Sequence, residues 1–368
     1  MFQRLSFDQI PRWRNDRHEE ALEAFRRSAR YGLHKPPKTG RLGVAADALR
    51  PIFTSALALE TIDSDTARSF FETHFVPYLI NRPSQGFVTG YYEPEIEGSR
   101  EEQPGFEAPL YRHPPELTKI DPDRPPEGIS SGFAFARRTG EIYSEYHDRA
   151  AIEDGALSDR KLALVHLRSK VEAFFVHIQG SAKIKLTDGS LMRVTYSGKS
   201  GHPYTPIGKF LIDDGLIDRK AMTADALRSW LETNGNAASA LMKKNRSFIF
   251  FKEVTGISDS DGPVAAGGVP LTAGRSLAVD RLLHTFSTPV WVSSDLSDLE
   301  TAHSQMGIDH AFDRLMIAQD TGSAIIGPAR GDLFIGTGNS AATIAGQIKH
   351  AATVILLVPH GLDLTEVS

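Results

Sequence analysis

The sequence predicts a strand-rich protein: a barrel-like β region with helices at its N-terminus, interrupted between roughly residues 105 and 245 by a second β-rich unit. Three observations carry this. Apolar residues recur at helical spacing mainly near the start. From Gly86 onward, short apolar runs alternate with glycine-rich turns. Between Pro104 and Gly128 proline is dense and periodicity is lost, which marks a crossing between units.

Leu22, Phe25 and Ala29 in HEEALEAFRRSARYG lie on one helical face, with Gly32 expected as the C-terminal cap. Lys35-Pro36-Pro37-Lys38 is a loop, and TARSFFETHFVPYLI reads as a second helix capped by Ser64 or Asp65. GFVTGYYEPEIEG is expected to form a strand leading into a loop. FFVHIQGSAKIKL and SLMRVTYSG read as strands joined by a hairpin at Asp188-Gly189. A helix follows from N-cap Thr223 to Gly235, carrying Trp230 as a core residue, with another turn or two over Ala238–Lys244. SFIFFKE, SLAVD, PVWVSS, FDRLMIAQD, GDLFIG and ATVILLV complete the strands, and a short helix is expected over Ala341–His350.

Composition narrows the function. The 368 residues are 40% hydrophobic and 24% charged, which suits packed globular cores. The net charge is −5 (41 basic against 46 acidic) with no basic face, so nucleic acid is not an expected partner. Absence of cysteine excludes disulfides, thiolate metal sites and cysteine nucleophiles. No apolar run approaches the ~20 residues of a membrane-spanning helix, and the histidines lack metal-ligand spacing. Neither a metal nor a cofactor is expected.

The most informative segment is Arg314–Gly327, where the apolar strand LMIA runs into Asp320 and then into small residues that include Gly322. A carboxylate at a strand end beside glycine-lined backbone suits a bulky uncharged ligand. The same aspartate could equally cap a turn. Asp280 ends SLAVD and Asp332 opens GDLFIG; turn chemistry, or ion pairs with Arg281 or Arg330, would also account for these two. Tyr91 and Tyr92 are adjacent on a strand, so at most one can face a ligand. Lys199 and Arg149 are candidates for substrate carboxylates or peptides, with solvated charge as the alternative.

AVD, AQDTGSAIIG and GDLFIGTG resemble, in order, the aspartate-bearing strands of the three-aspartate double-psi β-barrel domain. With GYYEPEIEG, PLYRHP, GALSD, IQGSAKI, YSGKSGHPYTPIGK, SFIFFK and VPLTAGRSLAVDR around them, the chain resembles the MltA-type membrane-bound lytic murein transglycosylases from about Gly86 to Pro359. The resemblance implies a mainly β fold: a double-psi β-barrel domain from residues 1–105 and 245–368, with an inserted smaller β-barrel at 106–244 and a glycan groove between them. It implies cleavage of the β-1,4 bond between N-acetylmuramic acid and N-acetylglucosamine in peptidoglycan, without water. Asp320 matches the catalytic aspartate, Asp332 and Asp280 its companions. Gly90, Tyr91, Gln179, Gly180, Lys199, Gly201, Tyr204 and Gly322 fall in blocks that meet substrate.

The partners implied are glycan strands, with other wall-synthesis or wall-degrading proteins as candidates; the chain itself is expected to be a monomer. The implied location is periplasmic and outer-membrane associated. Members are commonly lipoproteins, whereas this chain has no cysteine, so an export signal is expected ahead of Met1 or in its place. Ser323 departs from a common second glycine.

A one-acid transglycosylase uses the sugar's own C6 hydroxyl as nucleophile, so Asp320 must arrive protonated, through apolar surroundings or a neighbouring carboxylate. Two rivals stand beside this. A two-carboxylate glycoside hydrolase would need a second acid, from Asp332, Asp280 or Glu93. A non-catalytic wall-binding module would need none.

Overall fold

The computed structural model describes residues 2–80, 86–259, 261–299 and 311–364. Its internal contacts divide the chain into two units, Met1–Tyr92 with Ile257–Ser368, and Glu93–Gly256. The second unit is longer at both ends than the expected 106–244. The reason is strand pairing, as the strands Glu95–Ser99 and Ile249–Val254, which lie outside those bounds, belong to the insert's own sheet.

Helices α1 (His18–His34), α2 (Ala46–Ala58) and α3 (Ser64–His74) form the N-terminal layer. The first strands are β1 (Phe2–Arg4), β2 (Phe75–Ile80), β3 (Gly86–Glu93), β4 (Glu95–Ser99) and β5 (Ala108–Tyr111). Next come β6 (Leu117–Lys119), β7 (Phe135–Thr139), β8 (Ile142–Ser144), β9 (Ala163–Leu167), β10 (Ser181–Leu186), β11 (Leu191–Lys199) and β12 (Ile249–Val254). The last are β13 (Ser276–Val279), β14 (Pro289–Asp295), β15 (Ala311–Asp320), β16 (Arg330–Thr337) and β17 (Lys349–Pro359). The fold is therefore mixed α/β and strand-rich rather than mainly β.

In the first unit the strands run β17-β14-β15-β13-β16-β3, and β3 pairs again with β17, so the ring closes on itself. β2 and β1 extend outward from β17. Strand periodicity explains the unbroken apolar runs. Val290, Val292, Met316, Ala318, Leu356 and Val358 form one core. Their alternates Trp291, Leu315, Ile317, Ile355 and Leu357 pack with Phe25, Phe53 and Phe71 of the helices. Both faces of these strands are buried, so neither face is polar in sequence.

Three local expectations give way here. Gly32 does not cap α1 but lies inside it, where a Cβ would stand 2.6 Å from the Phe53 ring. The second expected helix stops at His74. Its N-cap is Asp63, whose carboxylate accepts from Thr66 N at 2.7 Å, and FVPYLI becomes β2 because β17 and β1 pair with it. The helix near 341 is Asn339–Ala345, since β17 already begins at Lys349. α2 was not foreseen. A buried pair joins helices to strands: Arg275, 1% exposed, donates from both terminal nitrogens to Asp16 at 2.8 Å and also meets Glu20.

In the second unit the sheet runs β12-β11-β10-β4-β9-β5, and a bridge between Arg112 and Phe251 joins its two ends. β6, β7 and β8 form a separate sheet. The Asp188-Gly189 hairpin joins β10 to β11, with Gly189 at φ 85°. FFVHIQ is not a strand: Lys170–Gln179 is a helix, because Ser169 caps it by accepting from Glu172 N at 3.1 Å and Gly180 ends it at φ 77°. The helices Ala224–Thr233 and Gly235–Lys243 follow, with Thr223 capping the first. Glu93 is fully buried and pairs with Arg193 at 2.9 Å.

Candidate functional site

The first unit brings together Asp320, Asp332 and Tyr91. β13 lies between β15 and β16, and Ala278 of β13 is in register with Asp320 on one side and Asp332 on the other. Two strand spacings put their Cα atoms roughly 9–10 Å apart.

Each Asp320 oxygen has a distinct partner. Oδ1 accepts from the Ala266 main-chain N–H at 3.1 Å, and Oδ2 accepts from the Tyr91 hydroxyl at 3.0 Å. Burial raises the Asp320 pKa, opposed by the N–H groups of Ala266 and Thr321 and by Tyr91. An amide N–H can only donate, whereas a hydroxyl also accepts. A proton on Oδ2 could be accepted by the Tyr91 hydroxyl, whereas one on Oδ1 would find no acceptor in the Ala266 N–H.

Burial pushes Asp332 up to about 6, against the Thr89 hydroxyl and the Arg330 charge, and the Asp320 charge adds to the rise. Thr89 Oγ1 donates to Asp332 Oδ1, and Arg330 Nη2 donates to Thr89 Oγ1 at 2.7 Å. Burial, with Asp320 and Asp332 adding to it, holds the Tyr91 hydroxyl well above its ordinary value, so it stays protonated and remains a donor.

The loop that supplies Ala266 N–H depends on two glycines. Gly267 N donates to Gln319 O at 2.8 Å, and a Cβ there would lie 2.6 Å from that oxygen. Gly268 has φ 80°, and its Cβ would lie 2.2 Å from the Tyr31 ring. Gln319 is itself fixed, receiving the Ser276 hydroxyl and donating to Ala24 O and Ser28 Oγ. The backbone beside Asp320 is thus held from both sides.

Asp280 is near the site but otherwise engaged. Its Oδ1 accepts from Leu282 N at 3.0 Å and its Oδ2 from Gly327 N at 2.9 Å, so it ties its own turn to the loop after Asp320. His284 Nε2 meets Pro328 O at 2.8 Å in the same tie, and burial lowers its pKa to about 4. Tyr92 packs on the strand core while Tyr91 faces Asp320. Gly90 allows β3 to approach Ala345, whose Cα would be 2.8 Å from a Cβ. Gly322 lies beside Ile325.

Gln179, Gly180, Lys199, Gly201 and Tyr204 all belong to the second unit. Gln179 and Gly180 end the helix Lys170–Gln179, and Lys199 ends β11. Gly201, at φ 93°, has no room for a side chain, since a Cβ would be 2.2 Å from Phe135 O. Tyr204 is half-buried, and its pKa is raised by burial against the Arg149 charge. Sequence reasoning missed Thr89, Ala266 and the link from Arg330 through Thr89. Thr89 was findable, as it lies two residues before Tyr91 and so on the same face of β3; the Gly267-Gly268 pair marked the Ala266 loop. Among the described residues no group of histidine and acidic side chains is placed to hold a metal.

Fold and site together define a strand-ring protein built around two half-buried carboxyls, both raised in pKa. The MltA specific insert domain matches residues 87–252, and the 3D domain matches residues 275–358. The crystal structure of a membrane-bound lytic murein transglycosylase from Agrobacterium tumefaciens superposes with a TM-score of 0.88 at 40% identity, covering 97% of each chain. That of Escherichia coli MltA with bound chitohexaose gives 0.65 at 27% identity, over 93% of this chain and 89% of that one. In sequence, membrane-bound lytic murein transglycosylase A of E. coli K12 is 34% identical over 272 residues, 73% of this chain and 64% of that protein. The chain thus spans just under two thirds of the length of the curated relatives it matches. It belongs to the MltA family of membrane-bound lytic murein transglycosylases. Among the described residues, no helix is long and apolar enough to cross a membrane.

Proposed function

We propose that this chain is a lytic transglycosylase that cuts the β-1,4 bond between N-acetylmuramic acid and N-acetylglucosamine in peptidoglycan, leaving 1,6-anhydromuramic ends. The observation that carries the reading is the Asp320 carboxyl, raised in pKa by burial, with one oxygen fixed by Ala266 N–H and the other beside Tyr91. Protonated Oδ2 gives its proton to the leaving glycosidic oxygen as the C1–O bond breaks. The resulting carboxylate takes the proton of the C6 hydroxyl as that oxygen bonds to C1. No water is consumed, and Asp320 ends as it began. The tethered nucleophile supplies the effective concentration that a hydrolase obtains from activated water.

Asp332 biases this titration, and Asp280 holds the adjoining loop. The closed strand ring is taken as a double-psi β-barrel and the insert sheet as a smaller barrel, with Gly90, Tyr91, Gln179, Gly180, Lys199, Gly201, Tyr204 and Gly322 meeting substrate. The relative with bound chitohexaose supports glycan strands as partner. The proposed place of work is the periplasm, at the outer membrane.

A hydrolase reading retains one observation. Asp332 is a second acid at a plausible spacing, whereas Glu93 and Asp280 are already engaged. Mass spectrometry of products from purified murein in labelled water separates the two. Anhydro ends without label are expected; label at the new end overturns the proposal. Asp320→Asn should lower activity by at least about 10²–10⁴-fold with the fold intact, and near-normal cutting by that variant would also overturn it.

A further inference from the structure

We propose that the inserted unit holds a second ligand site, a cleft beside His177 that takes a short peptide bearing a free amino group. The cleft measures about 320 Å³ and is formed wholly within the second unit, by β5, β9, the segment 149–162, the helix Lys170–Gln179 and Phe248. That is the small end of ligand pockets, suited to the end of a chain rather than a long stretch of polymer.

Several buried polar atoms of its lining have no hydrogen-bond partner among the described residues. They are both ring nitrogens of His177, Nδ1 of His166 and Oε2 of Glu153. His177 is only 6% exposed. Buried polar groups are nearly always hydrogen-bonded, so three residues with such orphans around one cleft call for a ligand. Burial and the nearby Arg149 charge keep His177 neutral. A neutral imidazole offers one donor and one acceptor, which an amide answers with its C=O and N–H. The other Glu153 oxygen already accepts from Arg149 Nη1 at 3.1 Å, so the free one requires a donor, supplied by an ammonium or amide N–H.

A sugar ring fits less well. Sugars dock on open aromatic faces, and those of Phe174 and Phe248 are taken: the Arg149 guanidinium lies 4.8 Å from the Phe174 ring and 5.2 Å from Phe248, with His177 4.3 Å from Phe248. Arg149 is itself used up, donating to Asn245 O and Ser247 O as well as Glu153. Exposed residues of both signs, Glu102 and Glu107 with Lys161 and Lys170, also line the cleft, which matches a zwitterion rather than an anion. The source of the peptide rests on the proposed function: peptidoglycan strands carry such peptides.

The test is nuclear magnetic resonance of ¹⁵N-histidine-labelled protein, titrated with a soluble tetrapeptide released from murein and, separately, with chitohexaose as peptide-free glycan. The tetrapeptide should move the His177 ring-nitrogen signals saturably, and chitohexaose should not. His177→Phe should weaken tetrapeptide binding, followed by calorimetry, about 2- to 10-fold, the loss of one hydrogen bond. Lys170→Glu, a change at an exposed position that leaves folding untouched, should weaken it up to about 5-fold. His177 signals unmoved by tetrapeptide, meaning a cleft that holds water only, would overturn the proposal. So would equal movement with chitohexaose, or affinity unchanged in Lys170→Glu. Binding is read without turnover, so failure of glycan cleavage would sink the proposed function and leave this result standing.

Discussion

Replacing Asp332 by Asn should stabilise the protein at neutral pH while harming the site. In the folded chain burial raises this carboxyl to about 6, from an ordinary 3.8. A raised carboxyl pKa means that the folded state holds its proton more tightly than the unfolded state. Its contribution is therefore fully present below about pH 3.8 and is lost as pH rises through about 6. At pH 7 the ionised group costs about 3 kcal/mol, at pH 5 about 1.5 and at pH 4 about 0.5. Asn carries no charge and keeps an oxygen to accept from the Thr89 hydroxyl. Urea unfolding of wild type and Asp332→Asn at those three pH values tests this. The variant should gain about 2–3 kcal/mol at pH 7, and the gain should shrink steadily towards pH 4. A gain independent of pH, or a loss at pH 7, would refute the claim that burial of a charge sets the pKa.

Arg330→Gln removes the cation that lowers the Asp332 pKa through Thr89, so the midpoint of Asp332, followed by ¹³C carboxyl titration, should move above about 6. Arg275→Met strands Asp16 in the interior and should cost about 3–5 kcal/mol in urea unfolding; Asp16→Asn in the same chain should recover part of it. Gly268→Ala places a methyl group against Tyr31 at φ 80° and should cost about 1–3 kcal/mol. By shifting Ala266 N–H off Oδ1 it should also raise the Asp320 midpoint in the same titration.

The parts of this molecule legible in sequence are those whose signal is local. The Asp188-Gly189 hairpin needs only a positive φ at Gly189 and alternating neighbours, both visible as letters. The strands β12 to β17 were legible because each is a short apolar run bounded by glycine or polar turns. Failures came where a distant partner decides. FVPYLI continues an apolar helical pattern and becomes a strand only because β17 and β1 pair with it. Gly32 looked like a cap because sequence does not reveal that Phe53 needs the space. The boundaries of the insert were misplaced because proline density marks irregular backbone, not the edge of a sheet, and β4 and β12 lie beyond it. At the site, the strands carrying Asp320 and Asp332 were legible, whereas the donor at Ala266 was not: a main-chain N–H leaves no trace in the identity of its residue.

That last point bears on how the carboxyl pair works. Asp320 and Asp332 sit at the same level on either side of β13, yet their surroundings differ in kind. Asp320 receives a fixed amide N–H and a neutral phenol. Asp332 receives a hydroxyl backed by a guanidinium. Fixed donors favour the carboxylate, so the pair needs an opposing influence if a proton is to remain on it near neutrality. Burial supplies that influence at both positions, and the charge of one acid raises the other. How far each acid departs from an ordinary carboxyl is then trimmed by its own donors: an amide and a phenol at Asp320, a hydroxyl and a cation at Asp332. Because the Ala266 N–H cannot accept while the Tyr91 hydroxyl can, a proton on Asp320 is favoured at Oδ2. In the proposed reaction Oδ2 is then the atom that acts as acid, while Arg330 acts on the titration of Asp332.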